Sequence, residues 1–155
     1  DPIVDSRHED PGPAPIFSRA EAITRTFNAS TVAEIITRLE REQGPHAAWA
    51  EATRARLIKR SPTALAVAHR LVREASAMQL QEVLELEHAI ACRLMELPDI
   101  HAGVRARLTE RDGRPRWRPS RIEEVSPAML DAIFSAPEAH HIRLQSRQKM
   151  QEMLA

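Results

Sequence analysis

The chain has 155 residues, enough for one domain or a large part of one, and its 22 basic and 22 acidic side chains leave no formal net charge. That balance excludes a global field drawing the protein onto nucleic acid or a membrane, and no apolar run approaches the ~20 residues of a bilayer span. One cysteine, Cys92, excludes an internal disulfide framework and fits a reducing, cytoplasmic setting; three Phe, two Trp and no Tyr leave the core to Leu, Ile, Val and Ala.

Residues 1–15, DPIVDSRHEDPGPAP, are acidic, proline-rich and aperiodic. They read as a linker or disordered entry and lack the apolar stretch of a secretory signal. A helical domain is predicted over 16–135. It opens with a short helix over 16–27, broken by Asn28 and Ser30. Thr31 and Glu34 match a capping box, and Val32, Ile35, Ile36 and Leu39 give the next helix one apolar face, ending before Gly44. Pro45 suits a first helical position, and Ala48, Trp49, Ala52, Ala55 and Ile58 are expected to face inward over 46–60. Ser61 and Pro62 form a cap and first-turn proline, opening a helix whose expected inward residues are Ala64, Leu65, Ala68, Leu71, Val72 and Ala75.

The central stretch runs from Met78 to Pro119. Val83, Leu86, Ile90, Leu94 and Leu97 recur at three and four residues, and Leu80, Leu84, Ala91 and Met95 widen the stripe, so this helix must meet several neighbours at once. Pro98 is expected to stop it and Asp99 to cap the next. Gly103 then falls inside a helix, where it costs about 1 kcal/mol relative to Ala, which implies a close approach to that backbone. Ser126 and Pro127 repeat the Ser-Pro start, with Met129, Leu130, Ile133 and Phe134 as a buried face ended by Pro137. The tail, 136–155, is polar and Gln-rich. The pattern contains no convincing strand, and the fold class is all-α, with six to seven helices.

The residues offer little catalytic chemistry of their own. His46, His69, His88, His101, His140 and His141 are scattered, with no His-Glu-x-x-His unit and no cysteine pair, so no metal site is expected. Ser61 and Ser126 sit in helix caps, without the strand-to-helix elbow that exposes a nucleophile. Glu87, near the apolar stripe, is better read as an ion-pair partner of Arg93 or Arg105 than as a base. The basic turn is different. Between 105 and 121 seven arginines stand against Glu110 and Asp112, and Arg111, Arg114 and Arg116 surround Trp117. Guanidinium forks bind phosphate and an indole stacks on a base, so these four residues are the candidate anion site; the competing reading is a solvated face anchored by the tryptophan.

SPTALAVAHRL at 61–71, LQEVLELEHAI at 80–90, DIHAGVRARLTERDGRPRWRP at 99–119 and the following EEVS resemble the C-terminal part of 3-hydroxyisobutyryl-CoA hydrolases, in the crotonase (enoyl-CoA hydratase/isomerase) superfamily. They cover about half the chain, in the family's order, with Ala102 where the family usually has Glu. The resemblance implies a multi-helix C-terminal segment lacking the β-rich catalytic core, where the thioester oxygen is held and carboxylates act. It therefore implies no catalytic residue and no cofactor here, acyl-CoA as the parent protein's substrate, and CoA contacts at Arg111, Arg114, Arg116 and Trp117. The implied parent is a hydrolase of valine catabolism, or alternatively an enoyl-CoA hydratase/isomerase. Expected partners are the missing N-terminal catalytic domain, acyl-CoA and a second copy of the chain, with neither nucleic acid nor membrane. Two rival readings are an autonomous helical interaction module and an RNA-binding helical protein, the latter disfavoured by the scarcity of stacking aromatics.

Overall fold

The computed structural model describes residues 12–135 and 137–144; the expectations for 1–11 and 145–155 lie outside the described residues. Among the described residues, seven α-helices and several 3-10 turns follow one another without a strand. We label the helices α1 (Ala20–Phe27), α2 (Val32–Arg41), α3 (Ala47–Leu57), α4 (Pro62–Ala75), α5 (Leu80–Met95), α6 (Pro98–Val104) and α7 (Pro127–Phe134). A π-helical turn, Arg105–Thr109, prolongs α6, and a 3-10 turn, Pro15–Arg19, occupies the first third of the helix expected over 16–27.

Three helix starts follow local chemistry. The hydroxyls of Thr31, Ser61 and Ser126 accept the backbone N–H of Glu34, Ala64 and Met129 at 3.1, 3.1 and 3.2 Å, each pairing a donor the first turn leaves free. The expected Thr31–Glu34 box closes one residue early. The Glu34 carboxylate accepts from the N–H and hydroxyl of Ser30, at 3.0 and 2.9 Å, and from Arg38. Pro98 also departs from expectation: it is the first residue of α6, so it starts that helix, and Asp99 lies in the first turn and not at the cap.

Two apolar clusters hold the helices. Ala29, Ile35, Leu39 and Ala50, with Trp49 and Leu57 against them, join α2 to α3. Val67, Ile90 and Ile133 join α4, α5 and α7, with Leu71, Leu86, Leu94, Leu97, Leu130 and Phe134 packed around them. Arg70 ties α4 to α7 from outside. Its guanidinium donates to Asp131 and Glu74, each at 2.7 Å, and lies 4.1 Å from the centre of the Phe134 ring. Residues 137–144 run back along α5, with His140 beside Glu96 at 3.1 Å and Leu144 N–H donating to Glu85 at 2.7 Å.

Three expected faces are corrected. On α3 the buried residue is Ala50, while Ala48, Ala52 and Ile58 are exposed. On α4, Thr63, Ala66 and Val67 are buried, and Ala64, Ala68 and Val72 face out. On α5 the inner row is Ala89 and Ile90 with half-buried Val83, Leu86 and Leu94, so Leu80, Leu84, Ala91 and Met95 stay exposed. The physical reason is shared: each helix carries apolar residues on more than half its circumference, and the cluster it joins covers only one side.

Candidate functional site

The structure explains Gly103. Its α6 position faces the Trp117 indole, and a Cβ there would lie 3.2 Å from Cη2 and 3.4 Å from Cζ3, so glycine is what lets that edge of the ring approach the helix. The indole N–H donates to the Lys59 carbonyl at 3.2 Å, just past the end of α3. Trp117 is thus clamped between two helices and remains half-buried.

Asp99 fixes the approach to this tryptophan. Asp99 is 8% exposed, and its carboxyl group accepts from the Ser61 hydroxyl at 2.5 Å and from the Arg118 N–H at 2.7 Å. One side chain therefore joins the start of α4, the start of α6 and the irregular stretch carrying Trp117. Asp112 caps the turn itself, accepting the Arg114 N–H at 2.8 Å, where Arg111 and Gly113 both take positive φ, 55° and 63°.

Two clefts meet at the indole. The first, about 560 Å³, is mainly apolar, with Leu94, Leu97, Ile100, Val104 and Leu108 in its lining. The second, about 360 Å³, is lined by Arg56, Lys59, Arg60, Arg107, Gly113 and Pro115 together with Ala106. Arg60, Gly103, Arg107 and Trp117 belong to both. Of the four residues predicted from sequence, Trp117 alone lines a cleft; Arg111, Arg114 and Arg116 are exposed on the adjoining turn. Sequence reading missed Arg56 on α3 and Lys59 and Arg60 just past its end. The signal was present, since RARLIKR at 54–60 carries four cations before the Ser-Pro cap.

The remaining candidates are quiet. Glu87 is exposed, and its expected partners are engaged elsewhere, Arg93 with Glu96 at 2.6 Å and Arg105 with Glu110 at 3.3 Å. Cys92 is half-buried, with its Sγ 3.9 Å from His88. His88 donates to the His140 carbonyl and His69 to the Ala29 carbonyl, both at 3.0 Å. No group of three or more His, Cys, Asp or Glu among the described residues is arranged to hold a metal ion, and no helix among them is long and apolar enough to cross a membrane.

Comparison with known proteins agrees with this architecture. The family model for enoyl-CoA hydratase/isomerase matches residues 2–134, and the chain belongs to that family. Within it the chain is similar to 3-hydroxyisobutyryl-CoA hydrolases. The mitochondrial enzyme of Danio rerio is 34% identical over 132 residues, 85% of this chain and 34% of the relative, and 3-hydroxyisobutyryl-CoA hydrolase 1 of Arabidopsis thaliana is 34% identical over 79% of this chain and 33% of its own length. Among solved structures, a carnitinyl-CoA dehydratase from Mycobacterium thermoresistibile superposes with a TM-score of 0.79 at 29% identity, covering 89% of this chain and 39% of that one. An enoyl-CoA hydratase from Rhodobacter sphaeroides gives 0.76 at 29%, covering 88% and 40%. The chain spans about a third of the length of the curated relatives it matches. One expectation is corrected here: the cytoplasmic setting inferred from a single free cysteine is overturned by relatives from Danio rerio, Gallus gallus and Mus musculus that are named as mitochondrial. A lone reduced thiol does not distinguish the two.

Proposed function

We propose that this chain is the helical C-terminal part of an acyl-CoA thioester hydrolase resembling 3-hydroxyisobutyryl-CoA hydrolase, that it covers the acyl-CoA site and mediates domain or subunit contacts, and that it works in mitochondria as the named relatives do. The observation that carries the reading is the family match over residues 2–134, together with about 34% identity to hydrolases of that name. In this reading the chemistry belongs to the part of the longer protein not included in these 155 residues, and the chain alone turns over no thioester. Its contribution is binding: Trp117 offers a flat ring toward the CoA nucleotide, and Arg111, Arg114 and Arg116 offer charge to its phosphates. The same role in an enoyl-CoA hydratase/isomerase is the second reading, favoured by superposition on the Rhodobacter enoyl-CoA hydratase.

Steady-state kinetics of the longer protein test it. Phosphate contacts distant from the thioester bind ground state and transition state about equally, so losing them raises KM and spares kcat. Exposed arginine pairs contribute about 0.2–1 kcal/mol each, so Arg114→Gln with Arg116→Gln is expected to raise KM by a few-fold to about tenfold. An unchanged KM, or a loss confined to kcat, contradicts the assignment.

A further inference from the structure

We propose that residues 137–144 form a strap that closes on α5 near neutral pH and loosens as His140 takes up a proton. The strap goes beyond the reading above and does not depend on the reaction assigned to the longer protein.

The way the segment is held carries the argument. Gln81, Glu85, His88, Cys92 and Glu96 recur at three and four residues, which makes a polar row along α5. The strap follows that row in the reverse direction. Near the start of α5 both main-chain groups of Leu144 are gripped: its N–H donates to Glu85 at 2.7 Å, its carbonyl accepts from Gln81 at 2.7 Å, and Gln81 also donates to Glu85 at 3.2 Å. Further along, the His140 carbonyl accepts from His88 Nδ1 at 3.0 Å, and the His140 ring Nε2 lies 3.1 Å from Glu96 Oε1. No residue of the strap belongs to either apolar cluster, and Leu144 is 37% exposed, so the hold is polar and open to titration.

His140 decides the sign. Because Nε2 faces a carboxylate, the neutral ring carries its one proton there, and Nδ1 is left buried without a partner among the described residues. A second proton goes to Nδ1, where no acceptor waits. An N–H left buried and unpaired shifts an equilibrium by about five- to 150-fold, whereas an ion pair with its side chains 19% and 47% exposed is worth about 1.4- to fivefold. Glu96 already accepts from Arg93 at 2.6 Å, which reduces that gain further. The closed strap therefore excludes a proton that the open strap accepts. The ionisable groups about His140 on α5 are Glu96, Arg93 and His88, with Cys92 Sγ 3.9 Å from His88, and its own segment adds Glu138, His141 and Arg143. His88 donates from Nδ1 whether neutral or charged, so its protonation leaves the carbonyl contact in place. Glu85 adds the same sign at lower pH. Its carboxyl is held below the ordinary 4.5, chiefly by the Leu144 N–H, so the grip on Leu144 is lost as pH falls through the lowered value.

Linkage sets the size. A histidine in water is about three-quarters protonated at pH 6 and scarcely at pH 8, so a strap that closes only on the neutral ring loses about fourfold of its closed-to-open ratio between them.

The test follows the Leu144 N–H by NMR in the 155-residue chain at pH 8, 7 and 6, with its exchange rate with water divided into that of the same residue in a free peptide of residues 135–147. Protection is expected at pH 8 and should fall about three- to fourfold by pH 6, while Ala89 and Ile90 in the buried row of α5 keep theirs. His140→Gln keeps a side-chain N–H for Glu96 and takes no proton, so its protection should be the same at all three pH values. Glu85→Gln replaces a charged acceptor of the Leu144 N–H by a neutral one and should lower protection at pH 8 by about threefold. Protection that is constant in the unaltered chain, or that rises toward pH 6 because the ion pair with Glu96 wins, overturns the proposal. So does a fall that survives in His140→Gln, a Glu85→Gln chain with unchanged protection, or a Leu144 that exchanges at pH 8 as fast as in the free peptide.

Discussion

Replacing Asp99 by Ala should loosen the turn that carries Trp117 while leaving the apolar clusters intact. The Asp99 carboxyl accepts from the Ser61 hydroxyl and from the Arg118 N–H, and at 8% exposure no solvent is positioned to replace it. An unpaired buried donor costs about 1–3 kcal/mol; Ser61 still accepts from Ala64 N–H and can turn its proton elsewhere, so the two losses together come to about 2–3 kcal/mol. For a chain of this size each kcal/mol moves Tm by about 3–4 °C, which gives a drop of about 6–12 °C by circular dichroism at 222 nm. Asp99→Asn is the informative comparison. Its remaining carbonyl oxygen can still accept from Arg118 N–H, so about half the loss is expected. Trp117 emission should shift to the red in Asp99→Ala, because its anchoring neighbour is released. A Tm change within about 2 °C, or a melt shift with no change at Trp117, would refute the latch.

Three further outcomes follow from the same geometry. Arg70→Ala removes two ion pairs and the stacking on Phe134, and should cost about 1–2 kcal/mol in urea unfolding; an unchanged midpoint would show that α7 is held by its apolar contacts alone. The carboxyls of Glu34, Glu42 and Glu85 are held below their ordinary value of 4.5, chiefly by the Ser30 N–H, the Arg25 guanidinium and the Leu144 N–H respectively. Groups with depressed folded pKa values contribute stability that is fully present above the unfolded value and lost as pH falls through the folded one. The urea midpoint should therefore hold between about pH 7 and 5 and decline below 4.5, and a midpoint that rises there would contradict the sign. Leu80, Met95 and Leu108 are 75, 63 and 67% exposed, and apolar surface of this extent favours association, so sedimentation velocity on the isolated chain should report dimers or larger species. A monomer at high concentration would count against these faces being made for contact.

Local signals were legible and long-range ones were not. Ser61-Pro62 and Ser126-Pro127 announced their helices because a cap needs only the next three residues, and the glycine at 103 announced a close neighbour because its cost has no local return. Which neighbour it was lay 14 positions on, and the Ser61–Asp99 bond spans 38, distances over which single-sequence periodicity carries no information. The faces of α3 and α4 were misread for a related reason. Alanine packs against helix or solvent with little preference, so a row such as Ala64, Ala68 and Val72 looks inward until the position of α5 and α7 is known. The basic turn was visible as a run of arginines, but the cleft beside it also takes Arg56, Lys59 and Arg60 from the end of α3 and the residues just past it, some 50 residues earlier, and only folding brings them to Trp117.

The reaction of the longer protein is the most direct measure of the account. Purified protein containing this chain, given 3-hydroxyisobutyryl-CoA in the presence of a thiol reagent, should release free CoA with saturable kinetics, and should act on an enoyl-CoA, followed by loss of its conjugated absorbance, far more slowly. Rapid hydration of the enoyl-CoA with no release of thiol from the hydroxyacyl-CoA would contradict the hydrolase reading and leave the hydratase in its place.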